Sequence, residues 1–148
     1  MQELTVSKQT QTCGVFVFGP DGKILICHVT NADKNTWSIP KGRPDNGETT
    51  SETAMRELKE ETSLVVDAAK LFAMGNAFYK SGRELVAFGY RLQRPVDTKI
   101  LFCESLVVGD KKSFPEVDEY KFVQPAEALK LIHATQQKVL IKYLATNV

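Results

Sequence analysis

Long apolar runs are missing from this chain. The first residues, MQELTVSKQTQT, hold no apolar core of the kind a secretory leader carries, and no stretch approaches the roughly 20 apolar residues of a membrane-crossing helix. The expected location is the cytoplasm, with no membrane partner. Cysteine is scarce: Cys13, Cys27 and Cys103 are odd in number, far apart and without a CxxC pair. This argues against a zinc site or disulfide framework and for free thiols in a reducing compartment. Neither sign of charge dominates, and a net charge of +1 gives no global attraction to nucleic acid or an anionic surface. A charged ligand must be met locally. There is no internal repeat, no low-complexity tract and no linker rich in Pro, Gly or Ser. With 148 residues, 43% hydrophobic and 25% charged, the chain is expected to form one domain over 1–148 with a substantial core.

What is present is concentrated between Trp37 and Leu64, WSIPKGRPDNGETTSETAMRELKEETSL. Thr49 followed by Glu52 is a capping box, and no proline or glycine interrupts the chain from there to Leu64. The spacing predicts a helix with Ala54, Met55 and Leu58 on an apolar stripe and Glu57, Glu60 and Glu61 on one acidic side. Like charges three and four residues apart cost about 0.2–0.5 kcal/mol per pair, and Glu52 to Arg56 returns one favourable pair of similar size. A hard divalent cation removes that conflict, since Mg²⁺ and Mn²⁺ take carboxylate oxygens and water. A solvated acidic helix face is the plainer reading of the glutamates taken alone. Ahead of the helix, Lys41-Gly42-Arg43 offers cations beside uncovered backbone, which suits a polyphosphate.

Gly42, five residues, Glu48, seven residues, and then REL-KEETSL from Arg56 to Leu64 resembles the Nudix box, the signature of the Nudix hydrolase superfamily. The departure is Ser63, where the family pattern has glycine. It falls at the helix end, where glycine supplies a left-handed backbone, and so bears on the turn more than on the chemistry. The run Trp37-x-x-Pro40-Lys41-Gly42 looks like that of diadenosine polyphosphate hydrolases and of relatives acting on diphosphoinositol compounds. Pro115-Glu116-Val117-Asp118-Glu119-Tyr120-Lys121-Phe122-Val123 resembles a segment of dinucleoside polyphosphate hydrolases and bacterial RNA pyrophosphohydrolases.

The rest of the chain is read from its patterning. Two β-branched or aromatic runs flank Gly19-Pro20-Asp21-Gly22 and predict a hairpin. Further strands are expected at Leu64 to Val66, Lys70 to Phe78, Glu84 to Leu92, Ile100 to Val108 and Lys121 to Val123. Gly109 to Tyr120 reads as a charged loop. Gln124 to His133 and Gln136 to Ala145 carry helical apolar spacing. This order suggests an α/β or α+β domain with a mixed sheet covered by helices. The resemblance implies the Nudix fold, an α/β/α sandwich. His28, ending a strand without a nearby ligand partner, reads as structural, His133 as a surface or capping residue, and Trp37 as a packing anchor.

The resemblance implies attack of water on a diphosphate bridge, with Mg²⁺ or Mn²⁺ as cofactor. It assigns Glu57, Glu60 and Glu61 as metal ligands, joined by the Lys41 carbonyl. Arg56 would orient the glutamates, Glu48 would support the loop and Gly42 would permit its path. Either Glu57 or Glu116 would be the general base, and Glu116 would also serve as a ligand. Lys41, Tyr79 and Tyr120 are substrate-binding candidates, with Phe114, Lys80 and Arg83 behind them. The expected substrate is a dinucleoside polyphosphate. A 5′-triphosphate RNA end, ADP-ribose, an oxidised nucleoside triphosphate or a diphosphoinositol compound are alternatives. A catalytically silent nucleotide-binding module is the alternative of another class. Monomer and dimer both remain open.

Overall fold

The computed structural model describes residues 10–108 and 113–146. Strand β1 (Gln11–Phe18) and strand β2 (Ile24–Val29) form the expected hairpin, with Gly19 N donating to Lys23 O at 2.8 Å across the turn. They pair only at Phe18 and Ile24 and then diverge. The gap is filled by the chain itself. β3 (Trp37–Ser38) pairs with Cys27 and His28 of β2, and β4 (Lys41–Gly42) pairs with Cys13 and Gly14 of β1. Residues 37–42 thus cross from one strand to the other, bringing Lys41 and Gly42 to the N-terminal end of β1.

Helix α1 (Thr50–Thr62) follows, with the Thr49 and Glu52 capping box in place. β5 (Phe72–Phe78) and β6 (Glu84–Arg91) form an antiparallel pair, and β6 runs parallel to β1 over all eight residues of each. β7 (Leu106–Val108) and β8 (Ser113–Pro115) make a separate two-stranded ribbon, and β9 (Val117–Val123) returns antiparallel to β2. Helices α2 (Pro125–Leu131) and α3 (Ala134–Thr146) end the described chain.

Strand alternation explains the layers. Cys13, Val15 and Val17 point to Ala54 and Leu58 of α1, while Phe16 and Phe18 point to Ala128, Val139 and Leu140 of α2 and α3. The sheet is mixed and lies between helices on both faces, as expected. No described helix is long and apolar enough to cross a membrane.

Several boundaries differ from the sequence expectation. Leu64 to Val66 is irregular: Leu64 and Val66 pack on the α1 side of the core without a strand partner. Lys70 to Phe78 begins as a 3₁₀ turn at Ala68–Lys70 capped by Asp67, so the strand starts at Phe72. Ile100 to Val108 opens with another such turn at Thr98–Ile100, and only Leu106–Val108 is extended. The expected loop over Gly109 to Tyr120 contains strand instead at Ser113–Pro115 and from Val117 onward, with residues 109–112 outside the described part. The strand expected at Lys121 to Val123 is therefore the end of a seven-residue one.

Candidate active site

Arg56 organises the site. Its Nε and Nη2 clasp Glu48 at 2.7 and 3.0 Å, a bidentate pair that holds the Glu48 carboxyl down to about 2. Its Nη1 reaches Glu57 at 2.8 Å and Glu60 at 3.1 Å, and Nη2 also donates to Arg43 O at 2.9 Å. Glu48 in turn accepts from Asp45 N at 2.8 Å and Thr53 Oγ1 at 2.9 Å. One guanidinium therefore fastens the loop before the helix to the acidic side of the helix.

Gly42 has a steric role. A Cβ at this position would lie 2.0 Å from Glu57 Cδ, because the carboxylate lies directly against the glycine backbone. Its backbone is ordinary strand, so the requirement is for space and not for a left-handed conformation. Burial pushes Glu57 up to about 7 against the pull of Arg56, and Glu60 and Glu116 add to the rise. Glu61 is 5% exposed, and burial holds its carboxyl well above the usual range, with Lys41 opposing and Glu57 and Glu116 reinforcing. Lys41 N donates to Glu61 Oε1 across 3.4 Å, a long contact.

Glu116 comes from the bend between β8 and β9. Its N–H donates to Ser105 O and its carbonyl accepts from Thr30 N, each at 3.0 Å. The Ser105 N–H in turn donates to Glu60 O at 3.2 Å, so one residue links the box helix to the Glu116 bend. Lys41, Gly42, Glu57 and Glu116 share the wall of a cleft of about 620 Å³ that Trp37, Tyr79, Arg83 and His133 also border.

Of the site residues singled out from sequence, Lys41, Gly42, Glu57, Tyr79 and Glu116 line the cleft, whereas Glu48, Arg56, Glu60, Glu61 and Tyr120 do not. Tyr79 faces His133 with ring centroids 5.2 Å apart, and Arg83 lies beside them. Trp37 is 5% exposed and belongs to the core, with Lys121 Nζ 4.5 Å above its ring. Tyr120 stands apart from the cleft lining: its half-buried ring packs on the α1 side of the core and its hydroxyl donates to Glu61 O. Lys80 is exposed and stands outside the cleft lining. His133 Nδ1 accepts from Thr135 N at 3.1 Å, capping α3.

Gln136 carries no local signal in the sequence. It is fully buried, accepts from Ile39 N at 3.1 Å and donates to Ser38 Oγ at 2.9 Å, tying α3 to the crossing segment. Its partners lie 97 and 98 residues away, so nothing short of the fold reveals it.

Carboxylate oxygens are the donor type that Mg²⁺ and Mn²⁺ prefer, and two of these carboxylates, Glu57 and Glu61, are buried, which pushes both up. Among the described residues no three such groups converge in coordination geometry. Arg56 lies between Glu57 and Glu60 and draws both toward itself. The chemistry of the donor set fits a hard divalent ion.

A family model described as the NUDIX domain matches residues 8–144. The chain belongs to the NUDIX family. An RNA pyrophosphohydrolase from Gluconobacter oxydans is 40% identical to this NUDIX chain over 124 residues, covering 78% of it and 72% of the relative. The RNA pyrophosphohydrolase of Erythrobacter litoralis is 36% identical over 64 residues, 43% of this chain and 39% of the relative's length. Among solved structures, a C. elegans Ap4A hydrolase binary complex superposes with a TM-score of 0.69 at 20% identity, covering 91% of this chain and 96% of that one. The NUDIX domain of Shewanella oneidensis NrtR, complexed with ADP ribose, superposes with a TM-score of 0.63 at 18% identity, covering 92% and 86%. At such identities the structural likeness speaks for the fold.

Proposed function

We propose that this NUDIX chain hydrolyses a phosphoanhydride in a nucleotide, with a dinucleoside polyphosphate as the leading substrate. The observation that carries the reading is that Glu57, Glu116 and Lys41 share the wall of a cleft that also holds Tyr79 and Arg83, with the buried Glu61 near enough to feel the charge of all three. A divalent ion held by Glu57, Glu60, Glu61 and Glu116, with the Lys41 carbonyl, would supply charge stabilisation at the phosphoryl oxygens. Arg56 sets the glutamate geometry, and Glu48 anchors Arg56. Glu57 is held against Gly42 and Arg56, whereas Glu116 is half-buried at the cleft wall, which favours Glu116 as the base. Glu116 takes a proton as the water oxygen bonds to phosphorus. The bridging P–O bond breaks, its electron pair leaves with the departing phosphate oxygen, and Glu116 returns the proton to solvent. Tyr79, His133 and Arg83 border the same cleft and would receive a nucleoside and its phosphates.

A second reading is favoured by the Gluconobacter oxydans relative: removal of phosphate from a 5′-triphosphate RNA end. Nucleotide and phosphate release from diadenosine polyphosphates, 5′-triphosphate RNA, ADP-ribose, nucleoside triphosphates and a diphosphoinositol compound separates these. Each is assayed with Mg²⁺, with Mn²⁺ and with chelator. Turnover of diadenosine tetraphosphate above the others, abolished by chelator, is expected. Preference for the RNA end selects the second reading. Metal-independent binding with no turnover of any substrate refutes hydrolysis and identifies a silent nucleotide-binding module.

A further inference from the structure

Burial alternates along the chain between Ile100 and Leu106. Leu101 packs in the core on the α1 side, and Cys103 and Ser105 are half-buried. Ile100, Phe102, Leu106 and Val108 take the other side and are 66%, 56%, 58% and 83% exposed. Residues 101–105 belong to no strand, yet their period of two runs on into β7 and puts these four side chains on one outward face. Within β7, Val107 turns the other way, toward a small cavity that it lines with Phe114. Leu106 is paired with Pro115 of β8, so the exposed Pro115 joins the outward face. The central outward position is Glu104, 3.2 Å from Lys59 Nζ.

Four large apolar side chains on one side of one segment expose surface on the order of 500 Å², in the upper half of the roughly 300–600 Å² range of the largest patch on a monomer. A standard interface buries roughly 800 Å² per partner, and the rim of Ser113, Pro115, Lys59 and Glu104 brings the face close to that size. The face is also held in place. The N–H groups of Glu104 and Ser105 both donate to Glu60 O, and Ser105 O accepts from Glu116 N at 3.0 Å, so association has little of this segment left to order.

The order of the side chains selects the occupant. Outward from Glu104, two apolar residues follow in each direction, Phe102 and Ile100 one way and Leu106 and Val108 the other. The pattern is the same read forward or backward, which is the self-complementarity that a two-fold contact between identical chains requires. We infer that two copies of this chain pair through this face, antiparallel about an axis at Glu104. Phe102 of one copy then meets Leu106 of the other, and Ile100 meets Val108. The two Glu104 carboxylates approach at the axis, and each brings Lys59 within 3.2 Å, so opposite charges alternate there. A lipid surface would instead have to take up this ion pair in the middle of the apolar face.

Sedimentation velocity of the full chain over a concentration series reads the mass without turnover. Wild type is expected to be a dimer at micromolar concentration. Phe102→Asp is expected to raise the dimer dissociation constant at least about thirtyfold, the loss that follows truncation of a central anchor. Val108→Asp is expected to weaken the dimer at an unchanged thermal midpoint, because a side chain 83% exposed supports little of the fold. Oxidation with diamide then tests the axis. Glu104→Cys is expected to link two copies through a disulfide, whereas Ile100→Cys is not, since it faces Val108 of the other copy. Wild type, with Cys13, Cys27 and Cys103, sets the baseline. A wild type that stays monomeric throughout the series overturns the pairing, whatever other partner or surface it binds, and so does a dimer that neither aspartate weakens. A dimer that Glu104→Cys fails to link overturns the axis.

Discussion

Ser63 ends α1 with φ at 69°, in the left-handed region, and its N–H donates to Lys59 O at 2.8 Å. A glycine reaches this conformation without the clash between Cβ and backbone that an L-residue meets there. The Ser63 side chain lies outside the cleft lining and bonds to the adjacent Thr62 carbonyl. Ser63→Gly is therefore expected to stabilise the fold by about 0.5–1 kcal/mol, allowing for the greater freedom of glycine in the unfolded chain. Urea denaturation measures the gain, and kcat should stay at the wild-type value. A destabilised variant would show that the Ser63 hydroxyl contributes more than the strain removes. The position of this turn was legible from one unusual residue in a long pattern. The reason for Gly42 was not, because spacing cannot reveal that the Glu57 carboxylate occupies the place of a Cβ.

At the scale of elements, α1 joins an apolar edge to an acidic one. Ala54 and Leu58 are fully buried, and on the acidic side Glu57 and Glu61 are 8% and 5% exposed. Arg56 compensates Glu57 and Glu60 directly, whereas Glu61 has the backbone N–H of Lys41 and the more distant Lys41 charge. A buried carboxylate so weakly partnered costs stability until a cation arrives. Glu61→Gln is expected to raise the midpoint in chelator by roughly 2–4 °C, the equivalent of about 1 kcal/mol in a chain of this size. Mg²⁺ or Mn²⁺ should raise the wild-type midpoint and leave that of Glu61→Gln nearly unmoved, while turnover of the variant falls at least about a hundredfold. An equal metal-induced shift in both proteins, followed by scanning fluorimetry, would remove Glu61 from the ligand set. The box helix was readable to its caps because local chemistry defines it. Strand β9 was not: it is an edge strand beside β2, and edge strands carry exposed charges such as Asp118 and Glu119 that read as loop.

For the whole molecule, the divergence of β1 and β2 makes room for residues 37–42, and the stability of that arrangement involves groups far apart in sequence. His28, at the end of β2, has its Nδ1 2.7 Å from Asp118 Oδ1 of β9 and its Nε2 2.8 Å from Asp33 O in the following loop. A carbonyl and an ionised carboxylate both accept, so this setting favours an imidazolium that donates from both nitrogens. The bond to Asp118 is the main cause that raises the His28 pKa; partial burial opposes it, and Glu119 adds to the rise. Trp37 meets the ring edge-on with centroids 5.3 Å apart, and Lys121 sits over that indole. Asp118 lies 90 residues from His28, which is why the sequence offered the histidine no partner. Because the folded pKa lies above the unfolded one of about 6.5, the contribution is complete below that pH. It fades as pH rises through the higher folded value. Wild-type stability in urea should therefore fall relative to His28→Gln between about pH 6 and the upper end of that window, and the difference should flatten above it. A constant gap across the range would mean that the ring acts by packing on Trp37 alone and that its charge adds nothing to the junction of β2, β3 and β9.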